Sequence, residues 1–125
     1  METIVSLLTA LRAIGEPTRL RLLALCARGE LTVSELVRIM GQSQSRVSRH
    51  LKLLTEAGLL ERIREGSWVF HRLVQGGDGA RLAHRLNVVL PSGDETLTRD
   101  LERLSLVQRD RDRLVADYFS RNAES

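Results

Sequence analysis

The sequence predicts a mainly α-helical fold with one small β-hairpin, a winged helix-turn-helix paired through its first and last helices. Three observations predict it. Apolar residues recur at helical spacing in successive segments up to Gly58. A short turn, Gly41-Gln42-Ser43, separates the third segment from the fourth, the length at which two helices cross. The period then changes to one that suits two strands over residues 59–74.

The first helix places Ile4, Leu7, Leu8, Leu11 and Ile14 on one face between Glu2 and Gly15. The second opens at Glu16-Pro17, where proline at a first helical position loses no hydrogen bond. Its face is Leu20, Leu23, Ala24 and Ala27, and Gly29 ends it. Thr32 with Glu35 forms a capping box for the third helix, which Gly41 stops. Ser43 caps the fourth, which runs to about Ala57 with Val47, Leu51 and Leu54 as its buried stripe. Leu59 to Arg64 and Trp68 to Leu73 read as strands around Glu65-Gly66-Ser67. Residues 75–79 read as a flexible loop. A short helix from Ala80 to Val89 follows, then a break at Pro91-Ser92-Gly93. The last helix, about Asp94 to Ser120, carries an imperfect apolar stripe interrupted by Gln108 and Arg111.

A chain of 125 residues suits one domain, with 1–75 as the winged core and 76–125 as a short helix plus a long dimerisation helix. Aromatic residues are 3% of the chain, so the core must come from Leu, Val, Ile and Ala. The net charge of +3 is uneven: residues 1–75 hold eleven Lys/Arg and seven Asp/Glu (+4), residues 76–125 eight and nine (−1). A mild basic excess in the first part points weakly to a polyanion. The single cysteine, Cys26, excludes an intrachain disulfide. No signal-peptide pattern is visible, and no apolar run approaches the ~20 residues a membrane helix needs, so a cytoplasmic location is expected.

The fourth helix has two unlike faces. At roughly 100° per residue, Ser45, Ser48, Arg49 and Lys52 lie opposite the apolar stripe, and Gln44 and Arg46 sit at the N-terminal turn. Such a surface suits the DNA major groove: Arg bonds guanine bidentately, Gln bonds adenine, and Ser reaches either or phosphate. The bland alternative is a solvated face, but the capped helix before it and the hairpin after it favour DNA. His50 borders the apolar stripe, and two readings stand: a phosphate donor or a structural histidine. Arg62, Arg64 and Arg72 make the hairpin a basic wing for groove or backbone contact. Trp68 and Phe70 read as wing packing, and His71 and His84 as isolated. The amphipathic first and last helices are buried most economically against a second copy of the chain, the other option being their own domain.

Three runs, Gly15-Glu16-Pro17-Thr18-Arg19-Leu20-Arg21-Leu22-Leu23, Ser43 through Leu54, and Glu56-Ala57-Gly58-Leu59-Leu60, strongly resemble the ArsR/SmtB family of winged-helix repressors. The resemblance covers roughly residues 4–74. It implies a homodimer that binds double-stranded operator DNA and is released by an effector. It also implies DNA contacts at Gln44, Ser45, Arg46, Ser48, Arg49 and His50, to which Lys52 and the wing residues Arg62 and Arg64 are added. Metal-sensing members carry cysteines before the recognition helix, or Asp and His on the last helix. Here residues 35–40 contain no thiol and 94–125 no histidine, so no metal and no cofactor are expected.

Cys26 reads as a buried core residue, with a reactive thiol as the minority option. The short helix 80–89, the long helix after it and the Tyr118–Ala123 ending resemble ArsR-type domains fused to S-adenosylmethionine-dependent methyltransferases. Stand-alone relatives of that branch respond to S-adenosylhomocysteine. The expected effector is therefore a non-metal small molecule; its site is not assigned, a cleft between the last helices and the core of the dimer being one option. No Ser/His/Asp, Cys/His or paired-carboxylate arrangement stands out, so no enzyme is expected. Two alternatives remain: the DNA-binding module of a methyltransferase fusion, and a winged helix used for protein contact alone.

Overall fold

The computed structural model describes Met1 and residues 3–123; Glu2, Glu124 and Ser125, including the expected start of the first helix, lie outside the described residues. Six helices and one hairpin follow in the order α1 (Ile4–Ile14), α2 (Pro17–Cys26), α3 (Val33–Met40), α4 (Gln44–Glu56), β1 (Leu60–Glu65), β2 (Trp68–Leu73), α5 (Gly77–Val89) and α6 (Glu95–Ala123). This is a winged helix-turn-helix.

Side-chain caps define the starts of α1 to α4. The Thr3 hydroxyl accepts from the Ser6 amide and Ser6 answers on the Thr3 amide. Thr32 and Glu35 form the expected box on α3, and Ser43 accepts from Arg46 on α4. α2 has proline in its first turn and is capped by the Glu16 carboxylate, which accepts from the Arg19 amide. Between α3 and α4, Gly41 turns the chain with φ 67°, a conformation side chains rarely adopt.

The antiparallel hairpin runs from Leu60 opposite Leu73 to Glu65 opposite Trp68. Strand β1 begins and ends one residue later than expected, at Leu60 and Glu65, so the turn is only Gly66-Ser67, with positive φ at Gly66 alone. A bridge from Leu31 to His71 adds a short third edge.

The largest departure is at residues 75–79, expected as a flexible loop. α5 starts at Gly77, and Asp78 in its first turn accepts from the Met1 amine at 2.9 Å. Gly79 lies so close to the α4–β1 turn that a Cβ there would stand 2.1 Å from the Gly58 carbonyl oxygen. Gly79 serves backbone-to-backbone packing, while Gly77 takes a positive φ of 79° at the start of α5.

The core is aliphatic, centred on residues such as Leu22, Leu36, Ile39, Val47, Leu54 and Leu59. Trp68 and Phe70 stack on each other on the wing with centroids 6.3 Å apart. α6 packs its first half along α2 and α3 of its own chain through Leu104 and Val107. Polar anchors hold it there. Asp100 takes a two-pronged bond from Arg21 at 2.7 and 2.8 Å, and Arg103 donates to the Ile39 carbonyl at 3.0 Å. Arg111, expected as a break in the stripe, is an anchor: it donates to Glu35 at 2.8 Å and to the Glu30 carbonyl at 3.0 Å, and covers the Phe70 ring. Beyond it Leu114, Val115, Tyr118 and Phe119 are exposed. α6 extends three residues past the expected Ser120 end. Among the described residues no helix is long and apolar enough to cross a membrane.

Candidate nucleic-acid interface

On α4 the residues Val47, His50, Leu51 and Leu54 are buried. They follow the i, i+3, i+4, i+7 spacing of one helix face. Every other candidate on the helix is exposed: Gln44, Ser45, Arg46, Ser48, Arg49 and Lys52. Ser43 spends its hydroxyl on the cap, which leaves Gln44 and Ser45 at the tip.

Pleating sorts the wing into two faces. Arg62 and Arg64 pair with His71 and Val69, and Ile63 with Phe70. Arg62, Val69 and His71 line a groove whose other wall is Ser48, Leu51 and Lys52 of α4. The two wing arginines therefore share a face with the polar side of α4, while Trp68 and Phe70 share the opposite face. Arg46, Arg49, Arg62 and Arg64 meet no carboxylate at ion-pair distance among the described residues, while Lys52 lies 3.9 Å from Glu56 with both exposed. Such a pair is worth little in water. Arg72 departs from the expected basic wing: it binds Glu61 at 2.7 Å and Glu30 at 2.9 Å, so its charge is spent at the wing root.

His50 is only 7% exposed and lies beneath α4 rather than on its outer face. The reason is positional, since residue 50 falls on the stripe of Val47 and Leu54. Its Nδ1 is 3.2 Å from Arg19 Nη1. Guanidinium only donates, so Nδ1 accepts and the ring is neutral with its proton on Nε2. Burial first, and the Arg19, Arg49 and Arg46 charges after it, hold the imidazole pKa below its ordinary 6.5 against the opposing pull of Glu16. His71, expected as isolated, is buried, and its backbone exchanges hydrogen bonds of 2.7 and 3.0 Å with Leu31.

The start of α2 supports this helix in a way that local periodicity does not show. Arg19 reaches the Ala13 carbonyl at 2.6 Å, and the Arg12 carbonyl at 3.4 Å, both at the end of α1. Gln42, in the turn before α4, donates to the buried Thr18 hydroxyl at 3.2 Å. Cys26 is buried, which pushes its thiol up to about 12 and leaves it far from thiolate reactivity.

The family model described as "Bacterial regulatory protein, arsR family" matches residues 16–62, from the Glu16 cap to Arg62 on the wing. The Biofilm growth-associated repressor of Agrobacterium fabrum is 33% identical over 87 residues, covering 70% of this chain and 74% of that protein. The chain belongs to the ArsR family.

ArsR1 of Pseudomonas putida, an arsenic resistance transcriptional regulator, is 46% identical over 63 residues; the match takes 50% of this chain and only about half, 49%, of ArsR1. A homodimeric winged helix-turn-helix DNA-binding domain from Mycobacterium bovis superposes with a TM-score of 0.62 at 31% identity. That superposition covers 69% of this chain and 79% of the other. In this ArsR-family chain the region shared with the family model holds α2, the helix-turn-helix and the first three residues of β1. Helices α5 and α6 lie outside it.

Proposed function

We propose that this protein is a sequence-specific transcriptional repressor that binds operator DNA as a homodimer and is released by a small non-metal effector. One observation carries the reading: Gln44, Ser45, Arg46, Ser48, Arg49 and Lys52 are exposed on α4, and Ser48 and Lys52 line one groove with Arg62, which meets no carboxylate at ion-pair distance among the described residues. Ser and Gln supply hydrogen bonds to base edges at close range, and Arg46 and Arg49 supply two-pronged donors for guanine. Arg62 and Arg64 act on the phosphate backbone beside the site. His50 serves as a support for α4, not as a contact.

Residues 1–75 form the reading core in this account, and 76–125 hold it in a dimer together with α1. Ile4, Val5, Leu8 and Leu11 are all exposed on α1 in the single chain. A second copy removes that apolar face from water and sets two recognition helices for half-sites about one DNA turn apart, ~34 Å. The repressor names among the relatives agree with this role.

The experiment is a binding titration of the purified chain against a duplex from its own upstream region, repeated with S-adenosylhomocysteine as the first effector. Binding that falls steeply with salt and prefers the upstream sequence supports the proposal. Equal affinity for any duplex, or no salt dependence, refutes it.

A further inference from the structure

Between the back of α2 and the connection from α5 to α6 lies a pocket of about 290 Å³. That is close to the lower end of small-molecule sites. Arg21 on α2 and Arg28 in the turn just after that helix both line it. Leu25 lies between them, and Leu101 of α6 lines the pocket with it. The pocket combines apolar walls with two arginine side chains, Arg21 and Arg28.

The two arginines are not equivalent. Arg21 spends Nε and Nη2 on the almost fully buried Asp100 and leaves Nη1 without a partner among the described residues. Arg28 is exposed and meets no carboxylate at ion-pair distance among the described residues. Asp100 is the only acid lining the pocket, and its charge is already matched. The remaining field is positive at the Arg28 end. A cationic ligand meets repulsion there, and a neutral one gains nothing from it. An anion on an apolar body matches both the charge and the lining.

We propose that this pocket binds a small organic carboxylate with an apolar body. The carboxylate meets Arg28, and the body lies over Leu25 and Leu101. The bound molecule is wedged between α2 and the start of α6. Arg19, two residues before Arg21 and on another side of the same helix, holds His50 of α4. A shift of α2 is thereby passed to the recognition helix. This consequence rests on the repressor reading above; ligand binding itself does not.

The test titrates the full chain with phenylacetate and with octanoate, using phenylacetamide and phenethylamine as the neutral and cationic counterparts. Melting temperature and ¹H–¹⁵N NMR spectra report binding. The expected result is a raised melting temperature with at least one carboxylate only. Spectral shifts are expected at the Asn87 side-chain amide and the Thr98 backbone amide, both at the pocket. Arg28→Gln, an exposed change, is expected to weaken carboxylate binding at least tenfold while operator affinity stays unchanged. The proposal is overturned if neither carboxylate binds, if the neutral or cationic analogue binds equally, or if Arg28→Gln binds as well as wild type. Operator binding of the ligand-free chain is measured separately. Its loss with carboxylate binding intact overturns the repressor reading alone, and the reverse result overturns the pocket alone.

Discussion

Arg19 and His50 meet at 3.2 Å, with the guanidinium donating to Nδ1 of a histidine buried beneath α4. The same guanidinium holds two carbonyls at the end of α1. One side chain thus joins the helix with the exposed apolar face to the helix with the exposed polar face. The contact ties the end of α1 directly to α4.

The burial of His50 sets a pH dependence. The pKa of His50 is lowered in the folded chain, as is that of His71, in both cases first by burial. The unfolded chain therefore binds more protons as pH falls through the region of 6.5. Stability is fully present above that value and is lost as pH drops below it. Thermal melts from pH 7.5 to 5.5 should show a falling melting temperature. His50→Gln, whose carbonyl can still accept from Arg19, should reduce the fall. A fall of the same size in this variant assigns the effect elsewhere.

Asp100 tests what holds α6. Its carboxylate is 1% exposed and bonded by both prongs of Arg21. Asp100→Ala leaves the largely buried Arg21 cation without its counter-charge and should cost about 3 kcal/mol. Replacing both members by Leu and Met of similar volume should recover most of that loss. Urea unfolding measures each, and a near-silent single variant contradicts the anchoring role.

The glycines after β2 make a sharper contrast. Gly79→Ala drives a Cβ into the Gly58 carbonyl, a backbone atom that cannot swing away. The cost should be at least about 1–3 kcal/mol. Gly93→Ala meets nothing within 4 Å, and should stay within about 0.5 kcal/mol of wild type. Equal melting temperatures for the two variants would rule out close packing at Gly79.

The wing predicts a split among its arginines. Arg62→Ala and Arg64→Ala should each lower the salt dependence of DNA binding by about one unit of slope, as loss of a phosphate contact does. Arg72→Ala should leave the slope unchanged and lower stability, because its partners are Glu61 and Glu30. A slope change with Arg72→Ala contradicts the assignment of that charge to the wing root.

Much of this organisation is legible in the sequence where the cause is local. The Thr32–Glu35 box, the Ser43 cap and the Val47–Leu51–Leu54 stripe each depend on residues within a turn or two, and each appears as read. Position 50 falls on that same stripe by spacing, yet a histidine is compatible with either side until its partner is known. Arg19 is 31 residues away. Asp100 is 79 residues from Arg21, and Arg111 is 76 from Glu35. A polar residue at a core-facing position of α6 looks like a flaw in the stripe when its counterpart lies that far off in the chain. The glycine run misled for a related reason: glycine marks either freedom or close approach, and only the position of Gly58 distinguishes them.

The central claim is that the outer face of α4 reads a DNA sequence. Fluorescence anisotropy with the upstream duplex and an unrelated duplex of equal length tests it most directly, comparing wild type with the Ser45→Ala/Ser48→Ala/Arg49→Ala variant. The variant is expected to keep its fold and its weak affinity for the unrelated duplex but to lose the preference for the upstream one. A variant that retains that preference contradicts it.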